Sequence, residues 1–395
     1  MKYILFDSEI RETLKPLTYT RPVCDIRCGI MTIREKWEKL LNAKTYTLTK
    51  NYLKNKYEFA VDSKMIFIDG KVIPTKDLVH KIINLNLGEE IYYENQLIAK
   101  CESEDSFYKK VSINKKRIDY PLSLNILCSL VSIFTLNGEE IQRDFDILTQ
   151  GRQSATLSDT NRVIGKENIF VEESAKVEFA TLNAQEGPIY IGKDCQIMEN
   201  AAIRGPFSML DKSVIKMCAK IYGPVSLGPA CKVGGEVEDC VFIGYSNKAH
   251  DGYFGNSVLG EWCNIGADSN TSNLKNTYDN IKLWSIEHST FEPTGVIFCG
   301  TIMADHAKCG INTMFNTGTV IGVGSNVFGP GYQRNYIPSF IWGGTKGQRR
   351  DYDVEKVIKT AEIVEARRNV KMSEIDKDIL RYIYKITHSD RDFFE

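Results

Sequence analysis

A chain of 395 residues, 43% hydrophobic and 26% charged, can bury a full core without disulfide or metal staples, and its length suggests more than one domain. The formal net charge of −1 supplies no global field for nucleic acid or for an acidic membrane surface, so an anionic substrate must be held by local charges. Eleven cysteines, scattered and without a CxxC pair, read as reduced thiols used as small hydrophobes.

The first residues reach an acid at Asp7 with no basic or long apolar stretch before it, so no signal peptide is expected. The most apolar run, residues 126–134, is too short to cross a bilayer. A cytoplasmic protein is the expectation. In chain order, Lys2–Phe6 reads as a buried strand and residues 32–41 as a helix. Thr45–Leu48 and residues 65–68 read as strands, and Lys76–Ile83 as a helix. This alternation predicts a small α/β domain over residues 1–150, with residues 124–150 crossing into a second domain.

From Ile191 a different period sets in. Steps of six land on Ile191, Ile197, Ile203, Met209, Ile215, Ile221, Leu227 and Val233. A second register from Cys195 holds mostly small residues: Ala201, Phe207, Ser213, Ala219, Val225 and Cys231. Neither a helix nor a flat strand gives a six-residue period. Short strands that turn a corner after each inward side chain do, and they stack into a coil whose inward ladder is one continuous core. The predicted coil is a left-handed parallel β-helix of hexapeptide repeats running from about Ile164 to Phe328, in a domain of residues 151–330. It slips near Gly234 and again over residues 268–279, then continues through Ile302, Lys308, Met314 and Val320, where Lys308 breaks the apolar rule. Residues 330–351 read as an ordered aromatic loop. Residues 352–369 and 373–386 read as helices that close the coil, completing a segment of residues 331–395.

Three stretches then point one way. His250-Asp-Gly-Tyr253-Phe-Gly255, Leu259-Gly260, Asn264-Ile265-Gly266-Ala267 and Asn273 resemble the acetyltransferase core of a bifunctional family. Its members join an N-acetylglucosamine-1-phosphate uridyltransferase to a glucosamine-1-phosphate acetyltransferase. Leu14-Lys-Pro16-Leu17-Thr18-Tyr-Thr-Arg21-Pro22 resembles the "PLT…RPK" segment of sugar-1-phosphate nucleotidyltransferases. Arg27-Cys-Gly29, Thr32-Ile-Arg34-Glu35-Lys36-Trp37 and Pro338-Ser339-Phe340-Ile-Trp342-Gly343 resemble a shortened branch of the bifunctional family found in Bacteroidetes-type bacteria.

The resemblance implies an acetyl-CoA-dependent N-acetyltransferase acting on an amino-sugar phosphate, in cytoplasmic nucleotide-sugar synthesis, and a homotrimer with acyl-donor clefts between neighbours. It assigns His250 as general base, a role suited to histidine near neutral pH, because a protonated ammonium cannot attack a thioester. Glu238 matches the carboxylate that steadies that base. Tyr253, Asn264 and Asn273 match sugar- and acyl-contacting positions. A turn residue from Ala267 to Ser269 is the candidate donor to the oxyanion. The family's sugar-phosphate clamp falls on Tyr222 and Cys240, which cannot hold an anion, leaving Arg204, Lys216 or Lys220 as substitutes. Lys346, Arg349 and Arg350 form a basic cluster suited to the phosphates of coenzyme A. A zinc trio of His250, His288 and His306 lacks the ligand pair about five residues apart that β-helical carbonic anhydrases use, so no metal is assigned to the coil.

The N-terminal half departs from the pattern. Residues 8–13, SEIRET, stand where a Gly-rich phosphate loop belongs, and Val23 stands where the family has lysine. Arg21 and Asp69 remain as candidate nucleotide and metal residues, but Lys71 stands where the family's Asp is usual. Mg²⁺ is expected only if this half is active. Two other readings stay open. One is a sugar-1-phosphate uridylyl- or thymidylyltransferase whose β-helix only oligomerises it; the other is a non-catalytic sugar-nucleotide-binding subunit.

Overall fold

The computed structural model describes residues 1–109, 115–344 and 349–392. They cluster into two units: Met1–Leu14, Thr20–Ile26 and Met31–Ser129 form the first, and Lys15–Tyr19, Arg27–Ile30 and Leu130–Glu395 the second.

In the first unit the elements run β1 (Lys2–Phe6), α1 (Ile10–Thr13), α2 (Ile33–Leu41), β2 (Thr45–Leu48), β3 (Met65–Asp69), α3 (Lys76–Ile83), β4 (Glu89–Tyr93), β5 (Gln96–Glu102), α4 (Glu104–Lys109) and β6 (Lys116–Asp119). They build a mixed sheet of order β2-β1-β3-β5-β4-β6, parallel around β1 and antiparallel across β5. The later strands expected around α3 are β4, β5 and β6, whose bounds the sequence alone leaves open. Thr32 caps α2 with a reciprocal box to Glu35. Trp37 on that helix is fully buried, and its indole N–H donates to the Val72 carbonyl at 2.9 Å.

The second unit is a parallel β-helix. Its coil strands run from Arg162–Ile164 to Ile341–Trp342. Among the described residues, the first face carries the strands from Arg162–Ile164 up to Tyr253–Gly255. The second runs from Ile169–Val171 to Tyr336–Ile337, and the third from Lys176–Val177 through Asn247–Lys248. The ladder read from the sequence is the inward column: Ile197 sits under Ile215 and Ile215 under Val233, all buried in one cluster. Many corners place a non-glycine residue in the left-handed region; Asp194, Lys212 and Ala230 recur once per coil at φ of 55°, 64° and 56°.

Beyond residue 271 the predicted register fails. A segment running to Gly300, with the hairpin Lys282–Ser285/Thr290–Pro293, interrupts the coil. On re-entry the inward residues are Met303, Cys309, Phe315 and Ile321, one position later than the steps through Ile302, Lys308, Met314 and Val320. Ile302 and Val320 misled because the outer side of the second face is also buried. Lower on that face, the helix Asn137–Thr149 covers it: Ile30, Ile141 and Phe145 pack on Phe170 and Tyr190. Asn137 Oδ1 accepts from the Ser226 hydroxyl and the Gly29 amide, both at 2.8 Å. The stretch expected only to cross between domains thus holds a covering helix. The aromatic loop likewise contains short strands, Tyr336–Ile337, Ile341–Trp342 and Arg350–Asp351. Asp353 and Ser373 cap the two C-terminal helices Val354–Ala366 and Glu374–Ile386. No helix among the described residues is long and apolar enough to cross a membrane.

Candidate active site

His250 stands at the corner between the third-face strand Asn247–Lys248 and the first-face strand Tyr253–Gly255. Gly252 makes that corner possible. Its φ is +110°, and a Cβ there would lie 2.2 Å from the Ser269 carbonyl of the corner stacked above. The His250 side chain is exposed, and among the described residues it makes no side-chain hydrogen bond.

The corner is tied down from inside. Lys248 pairs in register with Val233, so it occupies an inward ladder position and is only 1% exposed. Its Nζ reaches out of the core to donate to the Gly234 carbonyl at 3.0 Å and the His250 carbonyl at 2.8 Å. Burial pushes the Lys248 ammonium down to about 8, against the nearby Asp251 charge.

On the first face a chain of hydrogen bonds links polar side chains that point outward. The Tyr253 hydroxyl donates to Glu238 Oε2 at 2.6 Å. Asn273 Nδ2 donates to the Tyr253 hydroxyl at 2.8 Å and to Asn256 Oδ1 at 2.7 Å. Asn256 in turn donates to Asp239 Oδ2 at 3.2 Å. Burial, then the bond to Glu238, raise the Tyr253 phenol well above its usual range, so it stays a donor. Burial raises Asp239, helped by the adjacent Glu238 charge. Gly255 permits the chain: a Cβ there would stand 2.3 Å from the Tyr253 hydroxyl.

Of the residues singled out in the sequence, Glu238, Tyr253 and Asn273 therefore touch, and His250 lies three positions before Tyr253. Glu238 spends its hydrogen bond on Tyr253 and makes none to His250. Ala267 and Ser269 sit on the corner above His250. Ser269 is buried there; its hydroxyl donates to the Gly310 carbonyl at 3.1 Å and accepts from the Thr313 amide at 3.2 Å. Asn264 is on the third face, in register with Asn247 and Lys308, away from Tyr253. Arg204 is three strands down the first face and exposed, 3.5 Å from Glu186. Arg349 lies near Arg334; burial, then that neighbouring charge, push its pKa down. Arg350 is exposed opposite Trp342. Lys346 lies outside the described residues. His288 pairs with Glu292 at 2.6 Å, and no trio of His, Cys, Asp or Glu converges on a metal-sized site among the described residues. Asn256, Asp239 and the inward role of Lys248 escaped sequence reasoning. Lys248 falls one shortened coil after Val233, so continuing the ladder past Gly234 with a three-residue deletion finds it.

In the first unit, residues 8–13 include the one-turn helix α1 rather than a glycine cradle. Its Arg11 is buried and ion-paired to Asp7 at 2.7 Å, and also donates to the Arg21 carbonyl at 2.8 Å. Asp7 accepts further from the Val23 amide at 2.8 Å and the Thr49 hydroxyl at 2.5 Å. Asp69 ends β3 with the Lys71 ammonium 3.4 Å away, and burial raises its carboxyl despite that cation. A carboxyl pushed toward its neutral form beside a lysine is a poor Mg²⁺ ligand, so these residues do not fit that ion.

Residues 3–153 match the family model described as sugar nucleotidyl transferase, which groups the chain with transferases. The bifunctional protein GlmU of Synechococcus elongatus and that of a second Synechococcus strain are each 25% identical over 218 residues, covering 51% of this chain and 42% of the relative. The chain thus spans less than half the length of the curated relatives it matches. Among solved structures, the polySia-specific acetyltransferase NeuO is 14% identical over 58% of this chain and 100% of its own, with a TM-score of 0.30. AntD, an N-acyltransferase from Bacillus cereus in complex with dTDP-4-amino-4,6-dideoxyglucose and coenzyme A, is 14% identical over 52% and 90%, with a TM-score of 0.23. Likeness of that degree fixes no function. The family match, the GlmU relatives and the observed coil together fit a GlmU-like build, a nucleotidyltransferase-type domain ahead of a β-helix.

Proposed function

We propose that this chain, built like the GlmU proteins, is an acetyl-CoA-dependent N-acetyltransferase acting on an amino-sugar phosphate in nucleotide-sugar synthesis. The observation that carries the reading is the bonded chain Glu238–Tyr253–Asn273 standing one turn from an exposed histidine. His250 takes a proton from the sugar ammonium, and the freed amine attacks the thioester carbonyl. The tetrahedral oxyanion rests on N–H donors of the Ala267–Ser269 corner, and collapse expels the thiolate of coenzyme A, which takes up a proton. Tyr253 and Asn273 hold sugar hydroxyls, with Asn264 and Arg204 as further substrate contacts in a homotrimer whose neighbours bring more faces together. Lys346, Arg349 and Arg350 meet the 3′-phosphate of the coenzyme. The protein works in the cytoplasm.

The test is release of free thiol from acetyl-CoA across a panel of amino-sugar 1- and 6-phosphates. Sugar-dependent release is expected. Release at background for the whole panel rejects the reading.

A second reading concerns the first unit alone. The buried Arg11–Asp7 pair and the Lys71–Asp69 neighbourhood favour a unit that binds sugar nucleotide without transferring nucleotide. Pyrophosphate release from a nucleoside triphosphate and a sugar 1-phosphate, with Mg²⁺ present, is then expected to be absent. Sustained release contradicts it.

A further inference from the structure

The segment that interrupts the coil builds a two-lobed cleft. One lobe, about 540 Å³, is walled by Trp284 of the hairpin and Tyr336 of the second face, with Arg334 at its edge. The Trp284 ring stacks on Tyr336 at 4.9 Å and meets Phe291 edge-on at 5.0 Å. The other lobe, about 620 Å³, is polar, with Lys275 and Lys282 in its wall and no Asp or Glu among its described lining residues. Phe291 and Asn335 line both lobes, so the two lie side by side with Phe291 in their shared wall. Each volume falls in the roughly 300–1,000 Å³ range of small-molecule sites.

The chemistry is divided between the lobes. Phe291 is 42% exposed, so an aromatic surface is presented at their junction rather than spent in the core. Cross-strand pairing puts Trp284 opposite Phe291, and Lys282 lies two positions before Trp284, so the hairpin presents ring and ammonium on the same side. Lys275 is held toward the backbone by its bond to the Asn280 carbonyl at 2.9 Å. Asp390, the one acid among the described lining residues of the aromatic lobe, has its carboxyl raised by burial, which reduces its charge there. A flat apolar group fits the first lobe and a polyanion the second. Ser272 and Leu274, the sequence neighbours of Asn273, are among the lining residues of the polar lobe.

We infer that this cleft binds a nucleoside 5′-diphosphate group, its base against Trp284, Phe291 and Tyr336 and its phosphates against Lys275 and Lys282. Two carriers offer that chemistry, coenzyme A and a nucleoside diphosphate sugar. The inference goes beyond acetyl transfer and does not need it, because the readout is binding.

The test is calorimetric titration of the full chain with ADP, UDP, coenzyme A and UDP-N-acetylglucosamine, repeated on Lys282→Glu and Phe291→Ala. Lys282 is exposed, so the melting temperature of Lys282→Glu is expected to be unchanged, and that of Phe291→Ala, which loses its edge contact with Trp284, to fall by no more than a few degrees. Saturable binding is expected, weakened at least tenfold by each substitution and, for the wild type, by high salt. Preference for ADP and coenzyme A makes the coenzyme the carrier; preference for the uridine pair makes it the nucleotide sugar. No saturable binding by any of the four, or binding that both variants retain at wild-type strength, overturns the inference.

Discussion

Tyr253 is the residue on which the candidate site is assembled. Its hydroxyl gives to Glu238 and takes from Asn273, and Gly255 leaves room for it. Tyr253→Phe strands a partly buried carboxylate without its donor, a loss of about 1–3 kcal/mol in denaturant unfolding. An unchanged unfolding midpoint would show that water replaces the hydroxyl. Lys248 gives the pH dependence. Its folded pKa, about 8, lies below the ordinary value of 10.5, so between those values the unfolded chain holds the extra proton. Stability contributed at this site is therefore lowest below pH 8 and rises toward pH 10.5, by about 3 kcal/mol in total. The stability of wild type relative to Lys248→Met is expected to improve by that amount from about pH 7 to 10.5; a pH-independent difference contradicts it. At this scale the sequence was only partly legible. Tyr253, Asn273 and Glu238 could be picked by motif resemblance. That Glu238 serves Tyr253 rather than His250 could not, because side-chain direction at a coil corner depends on a shortened repeat.

The corner carrying His250 is the element that most constrains substitution. Gly252→Ala forces a Cβ onto the Ser269 carbonyl at a φ of +110°, and roughly 2–5 kcal/mol of stability is expected to go. Gly295→Ala is the control. That glycine has a φ of +78° but nothing within 4 Å, so only the backbone strain of about 1 kcal/mol applies. Equal melting-temperature losses for the two would mean that the stacking of corners is unimportant. The coil was the most legible element, since inward aliphatics every six residues leave no competing period. Legibility stopped at residue 271. The inserted hairpin resets the phase, and because the covered second face is apolar on both sides, Ile302 and Val320 mimic the ladder that Met303 and Ile321 form. The covering helix Asn137–Thr149 was missed because its buried side includes Asn137, Glu140 and Asp144.

At the scale of the whole chain, a nucleotidyltransferase-type unit with an internal arginine in place of a glycine loop accompanies a coil with an exposed histidine corner. If the acyl-donor cleft is completed by neighbouring coils, light scattering on the eluting protein gives three times the chain mass of 44.8 kDa. A monomer at working concentration contradicts that part of the proposal. What ties the coil to the proposed acetyl transfer is the base assigned to His250. The decisive measurement is the turnover number for coenzyme A release by wild type and His250→Ala, with acetyl-CoA and the best amino-sugar phosphate saturating. A fall of about 10²–10⁴-fold in kcat, with the melting temperature kept, is the expected result. Full turnover by His250→Ala would remove the histidine from the chemistry and with it the site proposed for this corner.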